Sequence, residues 1–208
     1  MIKLKYLRDR SIVKVKNGGV LYSKGRIRLS KIKISGENNQ LIIEEGARIN
    51  QSNVMIKGKD NKVIIKAGCD LNNLTIVMEN KGGLIEIGEG TTCGKTMIVS
   101  LEPYDIKIGK NCMISYEVEI RNTDSHKIID INTNKWLNKG KEVFIGDNVW
   151  IGTRTMILKG TKIENGCIVG AGSILSKEYN KNSLIVGNPA KIIKNNINWN
   201  RDEVFKEY

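Results

Sequence analysis

The sequence predicts an all-β fold, a parallel solenoid of short strands, on three observations. From Ile145 onward the chain divides into sixes, IGDNVW, IGTRTM, ILKGTK, IENGCI and VGAGSI, with Ile145, Ile151, Ile157, Ile163 and Val169 in strict phase. The fifth place of each unit is small or β-branched: Val149, Thr155, Thr161, Cys167 and Ser173. Upstream, Ile43, Ile65, Ile87 and Ile108 recur at spacings of 22, 22 and 21 residues. Neither a 3.6-residue helical period nor plain alternation gives a beat of six. Three six-residue sides close one triangular coil, with the large aliphatic filling the centre and the small residue fitting beside a corner.

The 208 residues are expected to form a single domain. The N-terminal stretch MIKLKYLRDRSIVKVKNGG alternates apolar and polar residues. It lacks the unbroken apolar run of a signal peptide or membrane span, so a cytoplasmic protein is predicted. Residues 25–120 read as coils with 21–22-residue spacing, the first copy lying around Ile27 to Ile34; the excess over a minimal coil is visible as GKDN, ENKGG and LEPYD. Residues 121–142 read as a protruding loop, 143–190 as compact hexapeptide coils and 191–208 as a tail, a short helix packing Trp199 and Phe205. About eight coils at strand spacing near 4.8 Å would make a prism of roughly 35–40 Å. Such coils bury their apolar faces only against neighbours, so the stack folds as one unit.

The charge favours anionic partners. Lys and Arg number 34 against 22 Asp and Glu, a formal net charge of +12. No basic arm with interleaved aromatics is present, which argues against nucleic acid. The phase places Cys69, Cys112 and Cys167 in the small fifth position and Cys93 in the large first position, all four inward. No CxxC pair exists, so they are core filler and no metal is expected.

The phase breaks after Ile120. The next two inward places would fall on Asp124 and His126, the only histidine in the chain. Burying both in an aliphatic prism would cost several kcal/mol, so the chain is expected to leave the coil there. The resulting loop, Asp124 to Lys141, carries Ile128, Ile129, Ile131, Trp136 and Leu137, which suggests a packed arm or lid. In an extended segment Asp124 and His126 share a side, so the carboxylate could fix one ring nitrogen and leave the other as a base. Trp150 occupies an outward place beside core-facing Ile151, where a large aromatic usually meets a ligand or another subunit.

The motifs DSHKIID (124–130), VFIGDNVWIGTRTMILKGTKI (143–163), IVGAGSILSK (168–177) and VGNPAKIIK (186–194) resemble the hexapeptide-repeat acyltransferases of the left-handed β-helix superfamily. The likeness is strong over about 105–194, and within the superfamily lies nearest the acetyl-CoA-dependent O-acetyltransferases of bacterial surface polysaccharides and sialic acid polymers. It implies a left-handed coil and a homotrimer with acyl-CoA between adjacent prisms. It implies His126 as general base, attack of the acceptor hydroxyl on the thioester without an acyl-enzyme, and Asp124 as the acidic residue of the D-x-H motif. Trp150 matches the family tryptophan beside the site, and a backbone amide around Gly152 or Thr153 would meet the oxyanion. Gly170, Ala171, Ser176 and Lys177 match the CoA groove; Lys191 and Lys194 match the cations that receive the nucleotide phosphates. Arg121 and Asn122 stand where small polar residues are usual, and Arg121 could meet an acidic sugar.

Transfer to a sugar nucleotide, a small sugar or an antibiotic is the nearest alternative, and a non-catalytic solenoid is an alternative of another class. A trimeric carbonic anhydrase would need three zinc-binding histidines, and the chain has one.

Overall fold

The computed structural model describes residues 1–8 and 10–202, and among them every regular element is a strand. Three strands per turn stack into three parallel ladders. On the first face Ile43, Ile65, Ile87, Ile108, Ile145, Ile163 and Tyr179 lie in register one above another. On the second run Ile27, Ile49, Leu71, Cys93, Ile114, Ile151, Val169 and Ile185. The third carries Val13, Ile32, Val54, Ile76, Ile98, Ile120, Ile157 and Leu175. Each buried aliphatic removes its surface from water for about 1.5–3 kcal/mol. The core is thus a continuous column, and the predicted solenoid is what forms.

The stack starts lower than the copy at 27–34. Ile2–Arg8 runs parallel to Val20–Arg28, and Ile12–Val15 parallel to Lys31–Ile34, adding a turn below. The 22-residue isoleucine beat does not reach these strands, which is why the spacing alone missed them.

The four cysteines point inward as the phase requires. Burial pushes the Cys69 and Cys112 thiols up to about 11 and the Cys93 thiol up to about 12, so they stay protonated. Val149, Thr155, Thr161, Cys167 and Ser173 are likewise buried. The hydroxyls among them are all satisfied: Thr155 donates to the Gly152 carbonyl at 2.8 Å, Ser173 to that of Gly170 at 2.7 Å, and Thr161 to that of Leu175 at 3.0 Å.

The corner between the third and first faces holds every long insertion. Ser35–Asn39, Asp60–Asn61, Gly82–Gly83 and Leu101–Asp105 all turn there, as does the segment between Val118–Arg121 and Val143–Ile145. Buried asparagines tie this corner vertically. Asn39 donates to the carbonyls of Ser35 (2.7 Å) and Gly58 (2.9 Å), and its own oxygen accepts the Asn61 amide at 3.0 Å. Asn61 repeats the pattern one turn up, donating to Lys57 and Asn80 at 2.7 Å each. Asn122 closes the series, donating to the Ser100 hydroxyl (3.0 Å) and to the carbonyls of Glu102 (3.0 Å) and Tyr104 (2.6 Å). Its unusual place before the histidine motif is explained: it is structural.

The C-terminal segment is not a helix over the described residues. Ala190–Asn195 turns back antiparallel on Ser183–Gly187, and the chain then descends the outside of the stack. Ile197 donates to the Asn182 carbonyl at 3.0 Å, and the indole of buried Trp199 donates to that of Asn148 at 2.8 Å. Arg201 reaches the Cys112 carbonyl at 2.8 Å and the Thr92 hydroxyl at 3.0 Å. Bonds to successive turns of the stack favour an extended strap over a helix. Phe205 lies outside the described residues.

Candidate active site

The loop that carries His126 is the largest insertion of the third-to-first corner, and polar contacts lock it at its base. The Thr123 hydroxyl donates to one Glu102 oxygen at 2.8 Å, and the Gly140 amide to the other at 2.7 Å. The Lys141 amide meets the Asn122 carbonyl at 3.1 Å. Further out, Asp130 caps a tight turn by accepting from the amides of Asn132 (3.0 Å) and Thr133 (2.7 Å), and Ile129 pairs antiparallel with Trp136. Lys127 lies 4.7 Å from the Trp136 ring centroid.

Asn138 joins the two strands of this arm. Its side chain donates to Asp124 at 2.8 Å and to the His126 carbonyl at 2.9 Å, and accepts from the Ile128 amide at 2.6 Å and the Trp136 indole at 2.9 Å. Lys159, its side chain only 17% exposed, donates to Asp124 at 2.5 Å and to the Asn138 carbonyl at 2.7 Å. That ammonium holds the Asp124 carboxyl below the usual carboxylate range, with Asn138 assisting.

The expected hydrogen bond from Asp124 to the His126 ring is therefore not made. Ser125 adopts φ 67, in the left-handed region, so residues 124–126 are not extended and the two side chains diverge. Asp124 instead pins the arm to the coil through Lys159. His126 is exposed, with its backbone carbonyl held by Asn138 at 2.9 Å.

The arm is not packed on its own coil as its apolar residues suggested. Ile128, Ile129, Leu137 and above all Ile131, 96% exposed, stand clear of the prism.

The remaining site residues lie elsewhere. Gly152, Thr153, Gly170 and Ala171 line the corner between the second and third faces. Gly152 packs so closely under the coil above that a Cβ would lie 2.7 Å from the Ala171 amide nitrogen. Its own amide donates to the Val169 carbonyl at 2.8 Å and is therefore already engaged within the coil. The Gly170 amide is likewise spent on the Ile185 carbonyl at 2.8 Å. Ser176 and Lys177 are exposed on the third-to-first corner, above Lys159. Lys191 and Lys194 stand exposed on the terminal hairpin, opposite Val186 and Leu184. Trp150 projects outward from the second face, 37% exposed, its ring 6.0 Å from that of Trp199 at 44°. Arg121 forms an ion pair with Glu119 at 3.2 Å.

The model of the bacterial transferase hexapeptide (six repeats) matches residues 142–177. The solved polysialic acid O-acetyltransferase OatWY superposes over 98% of this chain and 92% of its own length, with TM-score 0.84 and 31% identity. The chain belongs to the hexapeptide-repeat acetyltransferases. Another member, the polySia-specific acetyltransferase NeuO, gives TM-score 0.76 at 30% identity over 98% of this chain and 90% of that one. In sequence, the polysialic acid O-acetyltransferase of Escherichia coli O1:K1 / APEC is 36% identical over 117 residues, covering 56% of this chain and 38% of that protein. That of Neisseria meningitidis is 37% identical over 118 residues, covering 56% and 55%. The alignments thus span about half or less of these two curated relatives.

Within this family member, one chain assembles two partial constellations. The histidine arm, Lys159, Ser176 and Lys177 share one corner; Thr153, Gly170 and Ala171 share another. Sequence reasoning missed Asn138, Lys159 and Glu102. Lys159 sits in a repeat position that reads as ordinary solvent-facing coil, and the other two carry no periodic signal.

Proposed function

We propose that the protein transfers the acetyl group of acetyl-CoA to a hydroxyl of a sialic acid-type glycan, as a homotrimer acting in the cytoplasm. The observation that carries this reading is the placement of its one histidine on an arm locked by Glu102, Asn138 and Lys159, on a different corner from Thr153. A second copy bringing its Thr153 corner and Trp150 opposite the arm completes the site and covers Ile128, Ile131 and Leu137. Among the described residues no helix is long and apolar enough to cross a membrane.

The exposed edge fits a CoA chain. Gly172, at φ +71, has nothing within 4 Å of where a Cβ would sit, so a narrow pantetheine arm meets no side chain there. Lys177, Lys191 and Lys194 form no ion pair among the described residues and can receive phosphates as point charges. In the proposed reaction the free ring nitrogen of His126 takes the proton of the acceptor hydroxyl as its oxygen bonds the thioester carbon. The carbonyl oxygen becomes negative opposite the Thr153 amide; collapse releases the thiolate of CoA, which takes back the proton held by His126.

The test is thiol release from acetyl-CoA with sialic acid oligomers, neutral capsule fragments, amino sugar nucleotides and galactosides, using wild type and His126→Ala. Histidine-dependent release with sialic acid oligomers is expected. Release with an amino sugar nucleotide alone would replace the proposed acceptor, and release independent of His126 would remove the base.

A further inference from the structure

We propose that Tyr116 is the platform on which the acceptor sugar stacks, one coil below the reacting centre. The inference rests on the acetyl-transfer reading above and adds an acceptor subsite to it. Tyr116 lies directly beneath Thr153 in the stack: the Thr153 hydroxyl donates to the Tyr116 carbonyl at 2.6 Å, and the Arg154 amide to the same oxygen at 2.9 Å. Above Thr153 the corner continues through Gly170, Ala171 and Gly172, whose amide donates to the Thr153 carbonyl at 2.9 Å. It ends under the hairpin of Lys191. That direction belongs to the donor, so an acceptor hydroxyl has to approach Thr153 from the N-terminal side. Tyr116 is the first corner side chain it meets.

The ring is built as a plate. The residue is 64% exposed, and its ring packs against Gly94, where a Cβ would lie 3.1–3.2 Å from three ring carbons. Any larger residue at 94 would lift the ring, so the glycine sets its height. A flat aromatic with one face supported and one face open receives the C–H face of a pyranose, while its phenol reaches the hydroxyls at the rim. The rim is cationic: Glu117 is shared by Arg154 at 3.0 Å and Lys95 at 3.6 Å, two positive charges against one carboxylate. That balance favours an acidic sugar over a neutral one.

The experiment measures binding and turnover separately. Calorimetry gives the affinity for a sialic acid oligomer, and thiol release gives KM for glycan and for acetyl-CoA, in wild type, Tyr116→Ala, Tyr116→Phe and Gly94→Ala. Native mass of each variant is recorded alongside. The proposal expects Tyr116→Ala to weaken glycan binding and raise glycan KM about tenfold, the size of one lost stacking contact, with KM for acetyl-CoA unchanged. Tyr116→Phe, which keeps the ring and loses only the phenol, should raise glycan KM less than Tyr116→Ala does, and Gly94→Ala should shift glycan KM in the same direction as Tyr116→Ala by displacing the ring. Glycan KM unchanged in Tyr116→Ala overturns the platform while leaving the transfer reading intact. A change confined to KM for acetyl-CoA, or a loss of the native oligomer, assigns Tyr116 to the donor groove or to a subunit contact and overturns it equally. Tyr116-dependent glycan binding without acetyl transfer upholds the platform and sinks the transfer reading; no binding by wild type sinks both.

Discussion

The coils before residue 121 and those after residue 143 share one aliphatic interior and differ at their corners. The earlier turns advance by 22 residues, as from Ile43 to Ile65, and carry insertions tied by Asn39, Asn61 and Asn122. The later turns advance by 18, as from Ile145 to Ile163, and their second-to-third corner is built mostly of small residues, Gly152, Thr153, Gly170 and Ala171, with Arg154 beside them. Between them the same third-to-first corner that accepts short insertions below accepts the histidine arm. The comparison teaches that the interior tolerates only one chemistry, while each corner can be elaborated or pared without disturbing its neighbours. The proposed catalytic groups occupy both kinds of corner, elaborated for His126 and bare for Thr153.

Substitutions can break this contrast. The largest effect is expected from His126→Ala, a fall in turnover of about a hundredfold or more with the native mass retained. Full activity would end the assignment of the arm as catalytic. Next comes Asn122→Ala, which removes three hydrogen bonds at the root of the arm and leaves the Tyr104 carbonyl without its side-chain donor; a loss of about 1–3 kcal/mol in denaturant unfolding is expected. The exposed ion pair Lys57–Glu79, 3.4 Å apart, should by contrast give no measurable loss on Lys57→Ala, and equal losses would erase the distinction between buried ladder and surface pair.

On the bare side, Lys191→Ala should raise KM for acetyl-CoA several-fold, on the order of one lost phosphate contact, at unchanged kcat. A pure kcat loss would move Lys191 off the nucleotide. A smaller effect concerns pH. Lys159 depresses the Asp124 carboxyl, so this anchor of the arm is present above the ordinary carboxylate range and is lost as pH falls through the lowered native value. Lys159→Met should move the Asp124 titration, followed by NMR, upward toward the ordinary range; an unmoved titration would mean Asn138 alone sets it. Least of all, Cys112→Ala should leave activity in place, and the four native thiols should resist a thiol reagent at neutral pH until the protein unfolds.

The fold was legible because its constraint is periodic. One inward place in six must be large and apolar, and Ile145 through Val169 announce it without exception. The cysteines, Trp150 and the exit of the chain after Ile120 all followed from the same phase. What phase does not encode is contact between levels or between copies. The partnership of Asp124 with Lys159 joins residues 35 apart whose meeting depends on a left-handed Ser125. The spent amide of Gly152 depends on the next turn, and the strap depends on a tryptophan that finds its acceptor, Asn148, 51 residues back. Local extension was assumed at the histidine motif, and a single positive φ undid it.

The strap also changes how the stack can come apart. A solenoid held by neighbour contacts has two ends from which it can unzip turn by turn. Here the tail runs from the last turn at Asn182 past Asn148 to Cys112 and Thr92, so the final coils cannot fray until Trp199 and Arg201 have let go of turns near the middle.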